Sequence, residues 1–193
     1  MKTVYAGEPL PVRPHGEVVQ GRLTIFNEGQ DEPTIFLAGP TPRSPIVSSW
    51  RPDALLLFER AGFTGTVLVP EDRGGGCQTE YDHQVEWETE ALERASVILF
   101  WVPRQLVSMP AFTTNDEWGF WKSSGKCVFG APPWAEKVRY QRWWATRLGV
   151  PQFDTLEDTI GGALVLQGVE LRDGGVAAPA FLKKAFDRPG VGI

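Results

Sequence analysis

Residues 97–102, Val-Ile-Leu-Phe-Trp-Val, form an unbroken apolar run that Pro103 closes. The run is short, β-branched and aromatic, and a breaker bounds it. It reads as a strand buried on both faces, as in the middle of a parallel sheet. A loop of about a dozen residues separates this strand from the acidic pair Asp116-Glu117, where a helix is expected to begin. In open α/β sheets ligands bind beyond the carboxyl ends of the strands, so Glu117 falls where such a sheet would hold a reactive group.

The rest of the chain alternates in the same sense. Strands are expected over 34–38, 66–69, 97–102 and 126–130, with a short fifth at Gln152-Phe153. Helices are expected between them. The first has Ser48 or Ser49 as cap, Pro52 and Asp53 in its first turn, Ala54, Leu57, Phe58 and Ala61 at helical spacing, and Gly62 as its stop. Others cover 82–94, 117–124 and 134–148, and the last opens at Thr155 and runs to about Leu166. This order predicts an α/β fold with a mostly parallel sheet of about five strands, a flavodoxin-like three-layer arrangement in the order 2-1-3-4-5. Its switch point would gather the loops 39–44, 71–80 and 103–117 at one cleft. Residues 1–33, rich in Gly and Pro, read as a β appendage, with Val18, Val19, Leu23, Ile25 and Phe26 as strand formers. Residues 34–166 read as the main domain and 167–193 as a loosely ordered tail.

Bulk properties narrow the function. The chain has 193 residues, enough for one full core. Its net charge of −5 argues against a nucleic-acid polymer or an anionic membrane as partner. No apolar run approaches the roughly 18–20 residues that span a bilayer. The first residues lack the apolar core of a signal peptide, and Cys77 and Cys127 have no metal-ligand spacing. A cytoplasmic protein with free thiols is expected.

Two carboxylates stand out. Glu88 lies in an apolar stripe with Val85, Leu92 and Ala95. Either the stripe is rotated and Glu88 sits at its edge, or Glu88 projects toward the sheet edge with a raised pKa. Glu117 closes Thr114-Asn115-Asp116-Glu117, which also fits a capping box. Two carboxylates on one cleft are what glycosidic-bond chemistry requires, one as nucleophile and one as proton carrier. Around them, Thr41, Arg43 and Ser44 precede a helix start and could hold a hydroxyl or phosphate, or form a solvated loop. Asp72 belongs to the acidic loop before Gly74-Gly75-Gly76, which reads as a flexible lid rather than a phosphate motif. Of the eight tryptophans, Trp87, Trp101, Trp118 and Trp121 fall near the proposed cleft, as core or as stacking platforms for a base.

These residues resemble the nucleoside 2-deoxyribosyltransferase family, in particular its 2-deoxyribosyltransferase-like branch. The likeness covers about residues 34–165. It rests on Ile35-Phe36-Leu37-Ala38-Gly39-Pro40, on Gln84-Val85-Glu86-Trp87-Glu88, on the strand 97–103, and on Glu117-Trp118-Gly119-Phe120 followed by Gly125-Lys126-Cys127-Val128. The last piece is the most specific. The resemblance implies that Glu117 is the nucleophile of a covalent glycosyl intermediate. It makes Glu88 the nearest match to the acid that assists proton transfer, although the family has Asp there. Thr113-Thr114-Asn115 replace the family's Gly-rich approach to the nucleophile. The implied substrate is a small-molecule nucleoside or nucleotide, with Gly39, Pro40, Thr41, Arg43, Asp72, Trp87, Thr114, Asn115 and Asp116 as candidate contacts. No metal or cofactor is required, and the resemblance implies a homo-oligomer. The alternatives are a nucleoside 5′-monophosphate N-glycosidase and a non-catalytic nucleotide-binding module.

Overall fold

The computed structural model describes residues 1–11, 16–19, 22–25, 32–44, 46–74 and 81–168. Its elements run β1 (Lys2–Tyr5), β2 (Gly16–Val19), β3 (Arg22–Ile25), β4 (Thr34–Ala38), α1 (Arg51–Arg60), β5 (Thr66–Val69), α2 (Tyr81–Arg94), β6 (Val97–Trp101), α3 (Phe112–Trp121), β7 (Cys127–Gly130), α4 (Arg139–Leu148), β8 (Gln152–Phe153) and α5 (Leu156–Leu166). The main sheet has six strands in the order β1-β5-β4-β6-β7-β8, and every pairing in it is parallel. From β5 to β8 this is the expected 2-1-3-4-5 order of a flavodoxin-like fold. The order reverses at β4, between β5 and β6, and leaves a crevice above the strand ends.

Strands β4 to β7 are buried at every position, as their continuous apolar runs require. Alternate side chains enter two cores. Phe36, Ala38, Ile98, Phe100 and Phe129 pack against Trp87, Ala91 and Leu92 of α2, Trp118 of α3 and Ala145 of α4. Ile35, Leu37, Val67, Leu99 and Val128 pack against Ala54 and Phe58 of α1 and Ile160, Ala163 and Leu164 of α5. The result is the expected three layers, with α1 and α5 on one face and α2 to α4 on the other.

Several local expectations shift. β1 joins the main sheet beside β5, in register from Lys2 with Thr66 to Tyr5 with Val69. β2 and β3 pair antiparallel, in register from Gly16 with Ile25 to Val19 with Arg22. Helix α3 begins at Phe112 rather than Glu117, with Ala111 as its N-cap in the left-handed region at φ 59° and no side-chain cap. The capping-box reading of 114–117 is therefore wrong, and Glu117 stands in mid-helix. Trp118 anchors the helix by stacking on Phe100 and Phe129, at centroid separations of 5.2 and 5.0 Å. With that anchor fixed, packing overrides the weak helix propensity of the Thr-Thr-Asn-Asp run. Helix α4 starts at Arg139 rather than Trp134, which is exposed. At α1 the N-cap is Trp50, and neither Ser48 nor Ser49 caps it; the Ser49 hydroxyl instead accepts from the Arg51 amide. Thr155 caps α5 as expected, accepting from the Asp158 amide at 3.0 Å. Most of the 71–80 loop from Gly75 on, Cys77 and the tail beyond Gly168 lie outside the described residues.

Candidate active site

A cavity of about 430 Å³ opens at the switch point. Three strand ends supply its walls. The loop after β4 gives Gly39 to Arg43, the stretch after β6 gives Pro110 and Ala111, and Pro70 follows β5. Helix α2 contributes Gln84 and Glu88, and the first turns of α3 contribute Phe112, Asp116 and Glu117. Glu88 and Glu117, brought from helices on either side of β6's crossover, thus meet at one cavity.

Gly39 lets the β4 loop approach β6. Its φ is +153°, and a Cβ there would stand 2.1 Å from the Trp101 carbonyl oxygen. The loop is tied down from both sides. The Trp50 indole donates to the Pro40 carbonyl at 3.1 Å, and the Arg43 amide donates to the Ser108 carbonyl at 2.9 Å.

Beneath the loop lies Arg51, 1% exposed. Its Nε donates to the Leu37 carbonyl at 3.3 Å and its Nη2 to the Gly39 carbonyl at 2.8 Å. Its Nη1 donates to Thr41 Oγ1 at 3.1 Å and to Glu71 Oε1 at 2.6 Å. The Ser49 hydroxyl donates to the same carboxylate. A buried guanidinium is tolerated only with its donors filled, and this one has a counter-ion and three further acceptors. Sequence reasoning missed Arg51. One signal was available: a cation in a helix's first turn opposes the helix dipole and needs another reason to be there.

The stripe of α2 is rotated relative to the expected one. Gln84, Trp87, Ala91 and Leu92 are buried, whereas Val85 is 43% exposed. Glu88 lies half-buried at the stripe's edge and faces the cavity. Gln84, one turn earlier, donates from Nε2 to Glu88 Oε1 at 2.7 Å and to the Pro70 carbonyl at 3.1 Å. Burial raises the Glu88 pKa, while the Gln84 hydrogen bond and the Arg51 charge oppose the rise. Burial pushes Glu117 up to about 8, reinforced by the nearby charges of Glu88 and Asp116 and opposed by Arg51. The two carboxyls face one cavity, and their mutual repulsion adds to the effect of burial. This pair retains a proton close to neutrality.

Of the remaining sequence candidates, Gly39, Pro40, Thr41, Arg43 and Asp116 line the cavity. The Arg43 guanidinium lies 5.2 Å from the Phe112 ring centroid, at the cavity mouth. Four candidates lie off the wall. Trp87 is buried in the α2 core, its indole donating to the Glu8 carbonyl at 2.8 Å. Asp72 accepts from the Gly74 amide at 2.8 Å. Thr114 is buried on the opposite side of α3, and the Asn115 carbonyl faces Arg104 and Gln141. The expected helix start at Glu117 had placed Thr114 and Asn115 in the approach loop. The real start at Phe112 turns them away from the cleft.

A protein-family profile described as "Nucleoside 2-deoxyribosyltransferase like" matches residues 32–134. The matched span runs from just before β4 to beyond β7 and contains every cavity-lining residue named above. No curated protein matches the chain.

Proposed function

The chain belongs to the nucleoside 2-deoxyribosyltransferase-like family, and we propose that it cleaves the N-glycosidic bond of a (deoxy)nucleoside and passes the sugar to another base or to water. Family membership supports glycosyl transfer on nucleosides in general. The observation that carries the finer reading is the meeting of Glu88 and Glu117 on one cavity, where burial raises the pKa of both.

In the reactive form Glu117 is ionised and Glu88 carries the proton. The Glu117 carboxylate attacks C1′, and the C1′–N bond breaks with its electron pair leaving on the base. Glu88 gives its proton to that nitrogen. The product is a sugar ester of Glu117 and a free base. In the second half, an acceptor base or water attacks C1′, Glu88 takes the proton, and Glu117 is released as a carboxylate. Attack and proton transfer by two carboxyls on one cavity require no metal or organic cofactor. The loop 39–43 and Asp116 would hold the sugar. Arg51, beneath them, stabilises negative charge on either glutamate.

Turnover then needs one proton on the pair. Because the Glu117 proton leaves as pH rises through about 8, the rate is expected to be highest below that pH and to fall above it. The decisive experiment is chromatographic. The protein and its Glu117→Gln variant are incubated with deoxynucleosides, ribonucleosides and their monophosphates, with and without an acceptor base. Free base or exchanged nucleoside with the parent, absent with the variant, supports the mechanism. A folded Glu117→Gln variant with full turnover would sink it.

Arg43 favours a second reading. Its side chain is exposed at the cavity mouth, where a sugar 5′-phosphate would emerge. A nucleoside 5′-monophosphate hydrolase would lose turnover in Arg43→Ala only with phosphorylated substrates.

A further inference from the structure

A second pocket, of about 570 Å³, lies between α3 and α4. It meets the first cavity only at Pro110 and Phe112, and otherwise occupies the far side of α3. Its lining includes Arg104, Lys122 and Lys137 and no carboxylate. In a chain of net charge −5 that is a local reversal of sign.

Arg104 is the centre of this pocket. It is 3% exposed, yet no carboxylate pairs with it among the described residues. Its Nη1 donates to the Lys137 carbonyl at 2.9 Å and its Nη2 to Asn115 Oδ1. Its Nε is buried with no acceptor. Gln141, 6% exposed, gives its Nε2 to the same Asn115 oxygen at 2.6 Å and leaves Oε1 buried without a donor. A buried cation without a counter-ion costs several kcal/mol, and a buried unpaired polar atom about 1–3 kcal/mol. Lys137 adds a left-handed φ of 53°, a conformation that turns a non-glycine backbone against its preference. Such costs accumulate where a ligand is to be met.

The walls supply the other half of the chemistry. Tyr140 is 70% exposed and Phe112 61% exposed, and the Tyr140 ring meets Trp144 edge to face at 6.5 Å. The Lys122 ammonium stands 5.5 Å from the Trp144 ring centroid, and it also donates to the Gly119 carbonyl. Exposed aromatic faces beside cations that have no carboxylate partner among the described residues suit a flat ring that carries negative charge.

We propose that the pocket between α3 and α4 is a binding site for an anionic small molecule with a planar aromatic ring. The anionic group meets Arg104 and the lysines, and the ring lies against Tyr140 and Trp144. The site is separate from the Glu88–Glu117 cavity and does not depend on the reaction proposed there.

The test is a titration followed by the Trp144 indole N–H resonance, assigned with Trp144→Phe, in the Glu117→Gln protein so that no probe is consumed. Four probes divide the chemistry: adenosine 5′-monophosphate, benzoate, adenosine and inorganic phosphate. The monophosphate or benzoate should saturate a shift of this resonance, with adenosine and phosphate at least tenfold weaker. A response to benzoate alone, or to both, separates a simple aromatic acid from a nucleotide as the source of the anion. Arg104→Met should weaken that binding at least tenfold, while Arg43→Ala, in the first cavity, should leave it unchanged. Tyr140→Ala removes a ring that is 70% exposed and should weaken binding several-fold even if Arg104→Met fails to fold. The proposal falls if no probe moves the resonance. It also falls if phosphate alone binds as tightly as the monophosphate, or if Arg104→Met and Tyr140→Ala bind like the parent.

Discussion

Arg51 Nη1 donates to Glu71 Oε1 at 2.6 Å, and the two side chains are 2% and 3% exposed. The pair joins the first turn of α1 to the residue after Pro70, beneath the floor of the cavity. Removing one partner strands a buried charge. Arg51→Met and Glu71→Gln are each expected to cost about 3–5 kcal/mol in urea denaturation. The double variant should lose less than the sum, because neither charge is left alone.

Glu117 ties stability to pH. Its pKa is near 4.5 when unfolded and is pushed up to about 8 in the folded protein. Between these values the folded state holds a proton that the unfolded state has released. Its contribution to stability is therefore fully present below pH 4.5 and is lost as pH rises through about 8. Glu88, also raised, adds to the same slope. Urea unfolding at pH 5, 7 and 9 should show Glu117→Gln gaining on the parent as pH rises. Parallel curves would contradict the burial of this carboxyl.

Gly39 admits no side chain. A Cβ would stand 2.1 Å from the Trp101 carbonyl oxygen and 2.9 Å from the Trp50 ring. Gly39→Ala should force the loop off β6, at about 3 kcal/mol or more. Activity should fall further than stability, because the loop forms the cavity wall. Thermal melting and turnover of the variant measure both effects.

Trp87 gives the opposite contrast. Its indole holds the Glu8 carbonyl and lies off the cavity wall. Trp87→Phe should cost about 1–2 kcal/mol by leaving that carbonyl unmet, with turnover near the parent's. A large loss of turnover at unchanged stability would restore the expectation that Trp87 touches substrate.

The parts of the fold written in continuous apolar runs were legible. Strands β4 to β7 lie within about a residue of where the sequence puts them, because burial on both faces leaves little freedom in composition. Glu88 and Glu117 could be singled out because a carboxylate in or beside an apolar pattern is conspicuous. Less legible were features set by tertiary contacts. The start of α3 depends on Trp118 seating between Phe100 and Phe129, and nothing local marks it. Arg51 sits in a helix whose spacing explains every neighbour except itself. β1, with Lys2 and Thr3 in a four-residue strand, has too little pattern to be distinguished from a coil.

That first strand has a bearing on the order in which the molecule comes together. β1 pairs with β5, and the whole of β4 and α1 lies between them in the chain. At about 5–20 residues per second on the ribosome, β1 waits from a few seconds to about ten seconds before its partner is made. By then β4 and β5 can already close around α1 through nearer contacts. β1 is thus made well before the strand it pairs with, and the edge it joins exists only once β5 has been made. As an edge strand bonded to a single neighbour, β1 should exchange its amides with solvent sooner than the interior strands β4 and β6 do.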